Sequence, residues 1–400
     1  MSKSKTFSRK ELYDLVWSKP MISLAKQFGL SDVGLAKACK KANISRPPRG
    51  YWAKLAVGKR VSQQHLLNRE PGMSNEVTIG GSHYDNHYDR RTDAKILNSN
   101  PIPPTFDETI DEVKAKTEAR FKKITMPRFP ENAHHVIRRL LEKDEERRAK
   151  HLASSYPFDW DKPIFDEPFE KRRLKILNAI FTALEIAGMK PTIRNTKARE
   201  LSVQVNDTIV EIWLEDTSVK PKRYTRDSIV PKGKTGNLCL VIFRGGPAEN
   251  IRRFWEDNKE DGKLEKRLRD IVVSIIVAGE EQYRESCQWR YKRDIERKES
   301  LIKEILKRKE EAARKEQDRK VAIEEARIDR LLSDADAMRK ASEIRQYIDN
   351  VITLWKERKI GVAFEEITRW KSWAEAQADR IDPVKSGKFL ESLSNLNKEN

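Results

Sequence analysis

Seven cations, Lys37, Lys41, Arg46, Arg49, Lys54, Lys59 and Arg60, are the side chains whose type and spacing most directly specify chemistry. They fall within the first 60 residues, which hold 14 Lys and Arg against 3 Asp and Glu, a net of +11. The other 340 residues hold 67 against 60, so most of the formal charge of +18 is concentrated in one short segment. A surface so lopsided suits a polyanion, and the phosphates of a nucleic-acid duplex are a polyanion that Lys and Arg contact well. In Ser45-Arg46-Pro47-Pro48-Arg49-Gly50-Tyr51-Trp52 the two prolines hold the backbone extended. Arg46 and Arg49 flank them, and Gly50 permits close approach to a surface. Two compatible readings stay open: an arm that enters a groove, or a linker whose Tyr51 and Trp52 fold back onto a small core.

Other reactive groups are weaker. His83, Asp85, His87 and Asp89 alternate in a stretch that reads as a linker, a poor setting for a fixed metal site. His134 and His135 have no acidic or cysteine partner at ligand spacing. Lys232-Gly233-Lys234-Thr235-Gly236 and Arg244-Gly245-Gly246-Pro247 lack the spacing of a phosphate-binding P-loop and read as hairpin ends. Glu211, Glu215 and Asp216 are nuclease-type carboxylates without a matching lysine pattern. Cys39, Cys239 and Cys287 stand alone, which disfavours a disulfide framework or structural zinc. No catalytic residue, metal or cofactor is therefore assigned.

Local signals position the cations. Ser8 and Glu11 form a capping box that opens a helix ending near Ser18, with Leu12, Leu15, Val16 and Trp17 on its apolar face. Pro20 opens a second helix over Met21–Phe28, and Gly29 ends it in a left-handed cap. Ser31 or Asp32 then caps a third helix running to Ala42. Its outward positions are Ser31, Asp32, Gly34, Lys37 and Lys41. Asp32 either accepts from a cytosine amino group or caps the helix, and the cap is the simpler role.

The segment Met21–Lys40, M-I-S-L-A-K-Q-F-G-L-S-D-V-G-L-A-K-A-C-K, resembles the helix-turn-helix family: Leu24, Phe28, Leu30, Leu35 and Ala38 match its core, Ala25 its helix crossing and Gly29 its turn. That resemblance implies a third helix lying in the major groove. The Arg46–Arg49 stretch resembles the minor-groove arms of resolvase-type and homeodomain modules. It is also similar to an AT-hook, except that Tyr51 replaces the second arginine of the Arg-Gly-Arg core. The block from Trp17 to Leu55 is similar to an N-terminal module of uncharacterised bacterial proteins.

The remaining chain is read as mainly α with a small α+β domain. Residues 1–60 form the helix-turn-helix module with its basic arm, 61–105 a Pro/Gly-rich linker, and 106–168 charged helices with an aromatic, proline-rich loop. Residues 169–279 form the α+β domain: a helix ended by Gly188, an Asn206-Asp207 hairpin between Leu201–Val205 and Thr208–Leu214, a strand Leu238–Phe243, and a covering helix from Ile271. Residues 280–340 form a long charged helix, either solvated and single or a coiled coil; its stretch from Glu280 to about Leu332, about 50 residues at 1.5 Å, would span roughly 75 Å. Residues 341–400 form a helical cap with core tryptophans. The expectation is a nucleoid-associated cytoplasmic protein that binds double-stranded DNA and is not an enzyme. A homodimer or partner contact through the long helix and C-terminal region would complement it, with no membrane association. The competing expectation is an effector, scaffold or nuclease that the N-terminal module merely targets to DNA.

Overall fold

The structure is a computed structural model that describes residues 5–80, 92–156, 158, 162–222, 233–245 and 250–390. His83, Asp85, His87 and Asp89, together with Lys232, Gly246 and Pro247, lie outside these residues. The chain divides into two compact units, Met1–Lys298 and Glu299–Asn400. Among the described residues it is mainly helical, with one five-stranded antiparallel sheet. No described helix is long and apolar enough to cross a membrane.

Three helices open the first unit: α1 (Arg9–Ser18), α2 (Met21–Gln27) and α3 (Asp32–Lys41). Each begins and ends where the residues require. Ser8 and Glu11 make the capping box of α1. Gly29, at φ +67°, turns the chain after α2, and Ser31 caps α3 by accepting from Gly34 N at 3.0 Å. Leu12, Val16, Leu24, Leu35 and Cys39, each 0% exposed, fill the space between the three helices. A short helix, α4 (Tyr51–Ala56), follows the proline loop.

The expected linker over 61–105 is corrected by its partners. Strand β2 (Glu76–Ile79) pairs antiparallel with β1 (Lys5–Ser8) and buries Val77 and Ile79 against the three helices. Asp93–Asn98 forms a further helix, α5. Pro71-Gly72, which reads as a breaker, is a docking point instead. A Cβ on Gly72 would lie 2.5 Å from the Val205 carbonyl oxygen, so only glycine allows the two backbones to meet there. Thr208 Oγ1 and Asp207 N donate to Gly72 O, and Asn206 Nδ2 donates to Pro71 O. Polar turn residues signal an absence of helix, and they leave burial undecided.

Helices α6 (Ile110–Arg120), α7 (His135–Ala153) and α8 (Pro168–Ile186) lead into the sheet. The sheet is a meander of β3 (Lys190–Ile193), β4 (Leu201–Val205), β5 (Thr208–Asp216), β6 (Leu238–Phe243) and β7 (Ile251–Glu256), each antiparallel to the next. β3 and β7 carry no clear sequence signal, because Pro191 interrupts the pattern of the first and Arg252 and Arg253 that of the second. Alternate residues Val210, Ile212 and Leu214 of β5, with Leu240 and Ile242 of β6, point to the same side. They pack against Leu177, Ile180 and Phe181 of α8 and Ile271, Ile275 and Ala278 of α9, making the main core. Helix α9 runs unbroken over Leu268–Lys356, so its first part belongs to this unit and the rest to the second.

The second unit is a helical hairpin. Helix α10 (Phe364–Ile381) folds back so that Arg345 of α9 meets Asp379 and Asp382 at 2.7 and 2.9 Å, while Trp355 Nε1 donates to Val362 O at the turn. Ala341, Ala374 and Ala378 are buried with Ile348 and Ile367, small residues that let the helices approach closely. The expected core tryptophans are corrected in part. Trp373 is 61% exposed, and Trp370 packs its edge on Tyr347.

Candidate nucleic-acid interface

Helix α3 buries Leu35 and Cys39, which leaves Val33, Lys37 and Lys40 on its outward side. Cys39 is a packed side chain, its thiol pushed up by burial to about 11 and so unreactive. Ser31 is the N-cap of the helix, and Asp32 accepts from its neighbour Val33 N at 2.8 Å, so both are occupied by the first turn although exposed. Gly34 is half-buried, and a Cβ there would lie 3.2 Å from the capping oxygen of Ser31. Its lack of a side chain leaves room for the capping hydroxyl. Lys41 is also displaced from the expected face: its ammonium lies 2.9 Å from Asp207 at the β4–β5 turn. Sequence reasoning misses Val33 and Lys40. Val33 is 57% exposed, and its apolar side chain suits contact with a thymine methyl group. A helical projection through the buried Leu35 and Cys39 finds both.

The Arg46–Arg49 loop is fixed to the body of the unit. Trp17 Nε1 donates to Ser45 O at 3.1 Å, and Ser45 Oγ donates to Gln64 O. Tyr51 is buried with its ring edge-on to Trp17, centroids 5.2 Å apart. The fold-back is seen for Tyr51, while Trp52 is half-buried and packs on the Tyr51 ring, and Arg46 and Arg49 are exposed on the tethered loop. Buried Arg9, which no local pattern singles out, sets where this loop begins. Its guanidinium donates to Ala42 O, Asn43 O and Leu67 O, closing the carbonyl end of α3 with a cation where the helix dipole favours one.

Lys40, Arg46 and Arg49 line one groove of about 550 Å³ together with Asn43, Ser45 and Gln64. Lys54 lies on α4, with Lys59 and Arg60 beyond it, all exposed. Among the described residues none of Lys37, Lys40, Arg46, Arg49, Lys54, Lys59 and Arg60 is ion-paired, whereas Lys41 is. Elsewhere in the unit, by contrast, arginines are engaged. Arg172 bridges Asp257 and Glu265, Arg173 and Arg199 share Glu170, and Arg252 and Arg253 meet Glu281. An unpaired, exposed cation keeps its full capacity to replace the counterions of a phosphate.

The nuclease-type carboxylates do not converge on a site. Glu215 is buried against the Arg199 guanidinium, and Glu211 shares its side of β5, while Asp216 faces the opposite way. Asp216 is a loop staple. Its oxygens accept from Ser218 N, Ser218 Oγ, Thr235 N and Gly236 N, and a Cβ on Gly233 would collide with it. Burial pushes this carboxyl up, but the bonds from Ser218, Gly236 and Thr235 outweigh it and hold the group at about 2. The stabilisation is therefore present above the ordinary value of 3.8 and lost as pH falls from there through about 2. Acid unfolding of Asp216→Asn should show a shallower loss of stability between pH 4 and 2 than the parent; identical profiles would contradict the staple.

Compared with protein-family models, curated proteins and solved structures, the chain matches none.

Proposed function

We propose that this chain is a double-stranded-DNA-binding protein, a transcriptional regulator or a factor associated with mobile elements or defence. Helices α2 and α3 act as the helix-turn-helix, with α3 in the major groove and the fixed Arg46–Arg49 loop on the flanking backbone. One observation carries this reading: five exposed cations, Lys37, Lys40, Arg46, Arg49 and Lys54, stand without ion pairs beside an exposed Val33, in a unit whose other arginines are largely paired. Lys37 and Val33 face base edges, Lys40, Arg46 and Arg49 grip phosphates, and Ser31 and Asp32 hold the helix start. Dimerisation through α9 and the C-terminal hairpin belongs to this reading, because a single module of this size gives limited specificity alone.

A mobility-shift titration with full-length protein tests it. Duplex DNA should be retarded at low salt and outcompete single-stranded DNA of the same length. Retardation of neither, or preference for the single strand, contradicts the proposal. Truncation at residue 60 is a poor test, since it removes the strand that pairs with β1; a cut after residue 80 keeps the ladder whole.

A further inference from the structure

His134 and His135 meet a carboxylate that lies 50 residues away in sequence. His134 is the N-cap of α7, His135 its first residue, and Glu185 stands in the last turn of α8. His134 Nε2 lies 3.1 Å from one Glu185 oxygen, and His135 Nδ1 lies 3.4 Å from the other. All three ligand atoms fall within 4.8 Å of one another. Tetrahedral zinc with bonds of about 2.0–2.1 Å places neighbouring ligand atoms roughly 3.3–3.4 Å apart. The two histidine–carboxylate separations are close to that spacing, and a small side-chain adjustment within the 4.8 Å cluster would bring all three groups onto one ion.

The burial is graded as an ion site needs. The His134 side chain is 1% exposed, whereas those of His135 and Glu185 are 61% and 54% exposed. Asn178 accepts from His134 N at 2.7 Å, and Phe181 packs its ring edge-on to the imidazole, so the buried ligand is held from behind. His134 Nε2 is buried and makes no hydrogen bond, despite its nearness to Glu185, because the ring N–H direction misses the carboxylate. That nitrogen faces Glu185 without an aligned hydrogen bond.

We propose that His134, His135 and Glu185 bind a divalent transition-metal ion, with zinc the best match to two imidazoles and a carboxylate, and with water completing the shell on the open side. Binding at Nε2 moves the neutral ring's proton to Nδ1. It gives up the long 3.3 Å bond that Nδ1 accepts from Val136 N, and ties the start of α7 to the end of α8.

The test uses untagged full-length protein stripped of metal with a chelator. It is titrated with Zn²⁺ by calorimetry and with Co²⁺ by visible absorption. One equivalent should bind at this site, and His135→Ala and Glu185→Gln should each weaken it about tenfold or more. Both residues are solvent-facing, so the fold survives their replacement, and circular dichroism checks that it does. His134→Ala should abolish the cobalt bands of this site. Absence of cobalt bands in the parent, or an affinity unchanged in both His135→Ala and Glu185→Gln, overturns the proposal. Binding that persists in those variants would belong to other histidines of the chain.

Discussion

Replacing Lys40, Arg46 and Arg49 together with alanine is expected to weaken binding to duplex DNA about a hundredfold at 0.15 M salt. Each phosphate contact contributes a slope of about 0.9 in log affinity against log salt, hence roughly 0.7 log unit at this concentration. Removing all three cations therefore takes away roughly two log units, and the salt slope should fall by about three. The loss should be uniform across sequences, because the three cations line one groove on a tethered loop and meet backbone rather than bases. A loss confined to A·T-rich duplexes would restore the minor-groove arm as the better description of Arg46 and Arg49. Fluorescence anisotropy with several duplexes distinguishes these outcomes. Lys41→Ala is the matched control, since Lys41 already lies against Asp207 and should change the slope least.

The second large effect concerns the joint between the N-terminal helices and the sheet. Glu280 is fully buried in α9 and accepts from both arms of Arg69, from Gly72 N at 2.9 Å and from Arg284 Nε at 2.6 Å. Burial pushes its carboxyl up, but the arginines and the amide together hold it below the usual carboxylate range. Arg69 is stacked on the Tyr283 ring, whose hydroxyl accepts from Asn75 N. Removing one partner of a buried ion pair typically costs about 3–5 kcal/mol, because the remaining charge stays desolvated and unpaired. Glu280→Ala should therefore destabilise the first unit by that amount, read as a lower denaturation midpoint. It should also expose residues 61–80 to limited proteolysis; an unchanged midpoint and cleavage pattern would contradict the role. Glu280→Gln keeps the shape and should lose less.

This joint explains what the residues do and do not reveal. Capping and periodicity are local, so Ser8, Gly29 and Ser31 define the ends of α1–α3, and Asn206-Asp207 defines a hairpin, from a few neighbours each. Partners far along the chain leave no such trace. Nothing near Arg69 announces Glu280, nothing near Lys41 announces Asp207, and nothing near His134 announces Glu185. The linker reading fails for the same reason, since Pro71-Gly72 reports backbone geometry while its burial depends on Val205 and Glu280. Among the candidate site residues, charge alone selects Lys37, Arg46, Arg49, Lys54, Lys59 and Arg60, all of which are exposed. It does not separate Lys41 from Lys40, because that difference lies in which side of α3 meets the hairpin turn.

Free cations that meet phosphate displace its counterions, and salt reads that directly. The affinity of the full-length protein for duplex DNA should be measured between about 50 and 200 mM monovalent salt. With Lys40, Arg46, Arg49 and Lys54 each engaging a phosphate and Lys37 a base edge, log affinity should fall against log salt with a slope of about −3 to −4. Undetectable binding at the low-salt end, or an affinity that does not respond to salt, would contradict it.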